Sequence, residues 1–121
     1  MGKTILVVDD DSMNLRMAEV LLKKKNYEVR KADSGDAALA VLKEEAVDLV
    51  LLDVEMPKMN GIETLDAIRS RQELLHLPVL FLSASEDMEE AVENGEYAVQ
   101  GFVKKPILPQ NLYERVEEVW K

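Results

Sequence analysis

Hydrophobic and polar residues follow a pattern along the chain that predicts five strands and five helices. The strands are short apolar runs, and each precedes a segment in which apolar residues recur three or four positions apart, as on one face of a helix. The strands are expected at residues 4–8, 27–32, 49–53, 79–83 and 101–104. Alternating strands and helices favour a parallel sheet with right-handed crossovers and helices on both faces.

The third strand is the centre of this sheet. Residues 49–53 are apolar on both faces until the final aspartate, which is typical of a central parallel strand. Residues 27–32 alternate and are less apolar, as expected of an edge strand. We therefore expect an α/β fold, a single (βα)5 doubly wound parallel sheet with the flavodoxin-like strand order 2-1-3-4-5. The length predicts one domain, residues 1–121.

Polar side chains follow four of the five strands. Asp9 and Asp10 follow the first, Asp53 ends the third, Ser83 ends the fourth and Lys105 follows the fifth. Because parallel strands end at one edge, these groups should converge. Two carboxylates about 4 Å apart repel by ~4 kcal/mol at an effective dielectric near 20. The cluster must therefore raise a pKa or bind a cation, and with oxygen ligands and no cysteine Mg²⁺ is favoured.

A Mg²⁺ site with few protein ligands leaves coordination positions for phosphate oxygens. This indicates that a phosphoryl group arrives at a carboxylate, with Asp53 as the nucleophile. Ser83 and Lys105 can hold the remaining phosphoryl oxygens. Each residue alone is more often a turn, cap or surface residue, so the prediction depends on their joint placement. Asp11 is assigned to the loop or to capping the first helix.

Several short motifs occur at these strand ends. They are Val7-Val8-Asp9-Asp10, Asp53-x-x-Met56-Pro57, Asn60-Gly61, Ser83-Ala84 and Lys105-Pro106. In this order and spacing, the chain resembles the receiver domain of two-component response regulators over essentially its whole length. The resemblance implies that Asp53 accepts a phosphoryl group from a phosphohistidine on a sensor histidine kinase or a histidine phosphotransfer protein. It also implies a switch domain that catalyses only its own phosphorylation and dephosphorylation.

The resemblance also implies a metal site. Asp9 and Asp10 are the acidic pair, and Asp10 and Asp53 hold Mg²⁺ together with the backbone carbonyl of Glu55. The side chains of Glu55 and Ser85 border the site, where residues of the family tune the lifetime of the phosphoryl group. We therefore expect substitutions of Glu55 or Ser85 to change the dephosphorylation rate.

The switch residues are implied in the same way. Ser83 is the hydroxyl that turns toward the phosphoryl group, Phe102 is the switch aromatic, and Lys105 contacts the phosphoryl group and precedes a cis peptide bond to Pro106. The downstream target, which the sequence does not identify, would bind the surface of the fourth helix, fifth strand and fifth helix. The thin apolar pattern of residues 86–97 predicts a weakly packed fourth helix. Phe102 departs from the tyrosine that is common in the family.

Composition excludes other classes of function. The net charge of −9 argues against nucleic-acid binding, and no apolar run approaches the roughly 18 residues of a membrane span. The chain has no cysteine, which fits a reducing compartment, and we expect a cytoplasmic location. The oligomeric state stays open, with a phosphorylation-dependent homodimer as one alternative.

Two further activities use a similar arrangement of residues. A Mg²⁺-dependent aspartate-nucleophile phosphohydrolase of the haloacid-dehalogenase type needs a second aspartate two residues after the nucleophile, where this chain has Glu55. A flavodoxin-like flavin binder needs a neutral phosphate loop after the first strand. The aspartates at residues 9–11 would repel the flavin phosphate, so this alternative ranks last.

Overall fold

Strands and helices alternate throughout the part of the chain that the structure describes, as predicted. A computed structural model describes residues 2–121. The strands are β1 Thr4–Val8, β2 Glu28–Ala32, β3 Leu49–Asp53, β4 Val79–Ser83 and β5 Gly101–Lys104. The helices are α1 Ser12–Lys23, α2 Gly35–Glu44, α3 Gly61–Arg69, α4 Glu86–Glu93 and α5 Pro109–Val119, with a short 3₁₀ helix at Gln72–Leu74.

The five strands form one parallel sheet in the order β2-β1-β3-β4-β5. This confirms the predicted (βα)5 fold, with β2 at one edge and β3 in the centre. The register aligns Val8 with Leu52 and Ser83 with Lys104. Because β1, β3, β4 and β5 end at nearly the same level, the residues after them meet at one edge of the sheet.

The core lies on both faces of the sheet. Side chains alternate between the faces along each strand, so neighbouring residues join different clusters. One cluster packs against α1 and α5 and includes Leu51 and Leu82, while the other packs against α2 and α3 and includes Leu52 and Phe81. β3 and β4 are buried at all five positions, which explains their almost continuous apolar sequence.

Side-chain caps fix where several helices begin. Asp11 caps α1 and accepts a hydrogen bond from the Met13 amide at 2.9 Å, which confirms its assignment to capping. Asn60 and Glu63 form a capping box at the start of α3. Ser85 caps α4. These caps determine how the chain leaves β1, β3 and β4, and therefore how the strand-end residues are aimed.

The fourth helix is shorter than the segment 86–97 and weakly anchored. It ends at Glu93, and Gly95 follows with a φ of 77°, a left-handed conformation that suits glycine after a helix. None of its residues is buried, and only Met88 and Val92 pack against the core. This agrees with the weak packing predicted from its thin apolar pattern.

Candidate functional site

Three aspartates converge at the carboxyl ends of β1 and β3. Asp9 and Asp53 are fully buried, whereas Asp10 is exposed at the mouth of the site. Each offers one carboxylate oxygen, and these three oxygens lie within 4.8 Å of one another. The predicted clustering of the acidic residues is therefore present in the fold.

Lys105 enters this cluster from the end of β5. Its Nζ lies 2.9 Å from Asp53 Oδ1 and 3.5 Å from Asp9 Oδ2. Burial alone lowers the pKa of the Lys105 ammonium, but the hydrogen bond and charge of Asp53, with the charge of Asp9, raise it overall. The Lys105 ammonium thus neutralises part of the negative charge of Asp9 and Asp53. The sequence predicts that this cluster needs a cation.

The two oxygens of Asp53 have different surroundings. Oδ1 accepts hydrogen bonds from Lys105 Nζ at 2.9 Å and from the Glu55 amide at 3.2 Å. Oδ2 is buried and has no hydrogen-bond partner within residues 2–121. Burial raises the pKa of Asp53 to about 7; Lys105 opposes this shift and the charge of Asp9 adds to it.

Asp9 is held by the turn into α1. Its Oδ1 accepts from the Asp11 amide at 2.9 Å, and its Oδ2 accepts from Asn14 Nδ2 at 3.2 Å. Asn14 is not among the residues that the sequence predicts for the site. Its position in the first turn of the helix that follows β1 is the signal that could have found it, because such side chains lie near the strand end.

Ser83 is fully buried and already bonded in this site. Its hydroxyl donates to Glu55 Oε2 at 2.7 Å and accepts from the Ser85 amide at 3.0 Å. The sequence placed Ser83 and Glu55 at the same site but gave no indication that their side chains bond to each other. The Ser85 side chain caps α4 and accepts from the Met88 amide at 3.2 Å.

The remaining predicted residues lie around the fifth strand. The Lys105–Pro106 peptide bond is cis, as the resemblance implied. Phe102 is buried and packs in the cluster that includes Phe81, its partner in the strand register. Beside it, a shallow cleft of about 230 Å³ lies between α4, β5 and α5.

The sequence matches the response regulator receiver domain over residues 5–117, which is nearly the whole chain. The chain belongs to this family. Receiver domains are signalling switches of two-component systems, so the coarse functional prediction is confirmed.

Several relatives support the same assignment. The chemotaxis protein CheY-3 of Vibrio cholerae is 36% identical over 118 residues, which cover 97% of this chain and 91% of that protein. Chemotaxis protein CheY of Pseudomonas aeruginosa is also 36% identical, with coverage of 97% and 95%. The alkaline phosphatase synthesis transcriptional regulatory protein PhoP of Bacillus subtilis is 34% identical, and the match covers 98% of this chain but 49% of that protein. The receiver domain thus occurs in relatives of different lengths.

Solved receiver structures share the fold. The structure of Vibrio cholerae CheY4 superposes with a TM-score of 0.90 at 29% identity, covering 98% of this chain and 99% of that one. A receiver domain from Clostridium thermocellum gives a TM-score of 0.84 at 28% identity, with coverage of 97% and 93%. Among residues 2–121, no helix is both long enough and apolar enough to cross a membrane.

Proposed function

We propose that the chain is a phosphorylation-activated switch whose phosphoryl acceptor is Asp53, and that residues 1–121 form one receiver domain. The supporting observation is the buried Asp53 carboxylate at the end of β3. Its Oδ2 has no hydrogen-bond partner within residues 2–121, while Lys105 Nζ lies 2.9 Å from Oδ1. A carboxylate oxygen without a donor is free to attack phosphorus, and an adjacent ammonium stabilises the transferring group.

The donor is a phosphohistidine on a sensor histidine kinase or histidine phosphotransfer protein. An oxygen of Asp53 forms a bond to phosphorus while the phosphorus–nitrogen bond breaks, and the departing imidazole takes up one proton. Lys105 and Ser83 contact the transferred oxygens. In the separate dephosphorylation step, water attacks phosphorus, the bond to Asp53 breaks and inorganic phosphate leaves. The domain is therefore an acceptor that acts only on its own phosphoryl group.

The acidic cluster fits a hard divalent cation, with Mg²⁺ the first choice. The fit is supported by three carboxylate oxygens within 4.8 Å and by the unpartnered Asp53 Oδ2. Asp9, Asp10 and Asp53 would hold the ion together with the backbone carbonyl of Glu55. When bound, Mg²⁺ supplies neutralising charge for the phosphoryl oxygens.

The output surface is proposed to be the face formed by α4, β5 and α5. Ser83 turns toward the phosphoryl group, and Phe102 then repacks between the core and this face. The partner at this face is a downstream target protein or, in a phosphorylation-dependent homodimer, a second copy of the domain. Nucleic-acid or membrane binding by this domain is not expected, given the net charge of −9, and the lack of cysteine fits a cytoplasmic location.

The phosphohydrolase alternative ranks lower. In that chemistry the acid two residues after the nucleophile donates a proton to the leaving group. Here that position is Glu55, whose Oε2 is already engaged as the acceptor of the Ser83 hydroxyl at 2.7 Å. Multiple turnover on a phosphomonoester would favour the phosphohydrolase.

The decisive experiment is intact mass spectrometry after incubation with Mg²⁺ and acetyl phosphate. We expect the mass of one phosphoryl group to be gained by the wild type and by Asp66→Ala, which changes an exposed aspartate of α3. The gain should be absent in Asp53→Ala. A wild type that gains no mass would refute the proposed acceptor function.

A further inference from the structure

The Ser83 hydroxyl has a single proton, and in this structure it is committed. It donates to Glu55 Oε2 at 2.7 Å, while the Ser85 amide at 3.0 Å donates to the hydroxyl oxygen. A hydroxyl–carboxylate bond of this length is charge-assisted and stronger than a bond between neutral groups. The hydroxyl therefore has no proton left for an oxygen on Asp53.

Glu55 lies where it can accept the bond from Ser83, and its exposed side chain is free to leave that bond. It lies two residues after Asp53, and its side chain is exposed, whereas Ser83 is fully buried. Its backbone amide is tied to Asp53 Oδ1 at 3.2 Å, so its carboxylate is held at the mouth of the acidic site. A carboxylate here borders the place where a phosphoryl group on Asp53 would sit.

We propose that Glu55 is a positioning residue that holds the Ser83 hydroxyl in its resting orientation and competes with the phosphoryl group for its proton. This inference rests on the proposed function. Phosphorylation then requires Ser83 to release Glu55, whose exposed carboxylate returns to water. Glu55 thereby weakens the active state and keeps the unphosphorylated domain in one arrangement.

Direct charge repulsion between Glu55 and a phosphoryl group would also weaken the active state. The two effects differ in their dependence on Ser83. Repulsion acts through space and persists without the hydroxyl, whereas competition disappears when there is no proton to compete for. A double-mutant cycle between Glu55 and Ser83 therefore separates them.

The first measurement is the affinity for beryllium trifluoride, a stable analogue of the aspartyl phosphoryl group, at saturating Mg²⁺. We expect Glu55→Ala to bind it about tenfold more tightly, the order expected of one charge-assisted hydrogen bond. In the Ser83→Ala background, Glu55→Ala should have no effect. Glu90→Ala is the matched control, because this exposed glutamate of α4 makes no side-chain hydrogen bond or ion pair within residues 2–121.

The second measurement needs no phosphoryl group. The Ser85 amide donates to the Ser83 hydroxyl, so its NMR resonance reports where that hydroxyl lies. In the Mg²⁺-free protein we expect Glu55→Ala to shift this resonance and speed its amide exchange, and Glu90→Ala to leave it unchanged. Since Glu55 is exposed, its removal should not compromise folding.

The outcomes distinguish this inference from the proposed function. A tenfold gain that persists in the Ser83→Ala background, or an unmoved Ser85 amide in Glu55→Ala, would overturn the positioning role while Asp53 remains the acceptor. A wild type that binds no beryllium trifluoride would refute the proposed function and this inference with it.

Discussion

The charged form of Asp53 is poorly stabilised in the folded protein. It is buried, it faces Asp9, and Lys105 is its one close cation within residues 2–121. Its pKa of about 7 lies above its ordinary value of 3.8, so the folded state binds a proton more tightly than the unfolded chain. This contribution to stability is complete below about pH 4 and is lost as the pH rises through about 7.

Replacing Asp53 by asparagine should therefore stabilise the Mg²⁺-free protein at pH 8. We expect a gain of about 1–3 kcal/mol in the free energy of unfolding, typical of removing a poorly satisfied buried group. The gain should shrink by pH 5, where the wild-type carboxyl is protonated. Urea unfolding in EDTA measures both values, with Asp66→Asn as control. A gain that is equal at the two pH values would contradict the pKa argument.

Asp10 and Asp11, which follow β1, should differ in what they contribute: one to Mg²⁺ binding and the other to stability. Asp11→Ala removes the cap of α1 and should cost about 1 kcal/mol of stability, while Mg²⁺ affinity changes less than about threefold. Asp10→Ala should lower Mg²⁺ affinity at least about tenfold without loss of stability, because Asp10 is exposed among like charges. Urea unfolding and calorimetric Mg²⁺ titration test both. If both substitutions lowered Mg²⁺ affinity equally, the assignment of Asp10 to the metal and of Asp11 to the helix cap would be wrong.

The site residues differ in how far the sequence predicts them. Asp9, Asp53, Ser83 and Lys105 follow apolar runs, and the ends of parallel strands must meet, so their convergence follows from topology alone. The bond between Ser83 and Glu55 does not. It depends on the backbone direction after β3 and on a side-chain rotamer, and neither leaves a periodic signal in the sequence.

At the scale of elements, the β3–α3 loop is fixed by a close backbone approach. A Cβ at Gly61 would lie 2.7 Å from Val54 Cα and would also collide with the Asp53 carbonyl oxygen. Backbone atoms cannot move aside as a flexible side chain can. Glycine here therefore lets α3 begin directly against the end of β3, which sets the position of Asp53.

Gly61→Ala should accordingly lower the free energy of unfolding by at least about 2 kcal/mol and reduce phosphoryl transfer from acetyl phosphate. Gly101→Ala is the control, since its nearest neighbour is the end of the Leu80 side chain at 3.1 Å rather than backbone, and it should cost less than about 1 kcal/mol. Urea unfolding compares the two variants. Similar losses of stability in the two variants would show that the close backbone approach is not what requires glycine at position 61.

The sequence predicts the ends of helices and strands well only where a local signal is strong. Asn60 and Glu63 predict the start of α3 because a capping box has fixed spacing. The end of α4 is less defined, because the apolar pattern is thin and the chain turns at Gly95. The second strand starts at Glu28 rather than residue 27, a difference of one residue at a fraying end.

Over the whole molecule, the helices differ in how many apolar side chains they bury against the sheet. α1 and α5 bury the residues Leu15, Ala18, Leu22, Leu112 and Val116 against one face, while α4 buries none. Since local stability follows buried apolar contact, α4 should open at lower free energy than the elements around it. The least anchored helix thus adjoins Ser83 and the face to which output is assigned.

Hydrogen exchange followed by mass spectrometry tests this distribution. In the unmodified protein, α4 amides should open at least about 2 kcal/mol more easily than those of β1 and β3, which are almost entirely buried. With Mg²⁺ and acetyl phosphate, protection should change within residues 83–113 and stay constant in β2 and α2, because only the former segment contains Ser83, α4 and Phe102. Asp53→Asn treated in the same way should show no change. Unaltered exchange across residues 83–113 in the phosphorylated wild type would argue against coupling between Asp53 and this face.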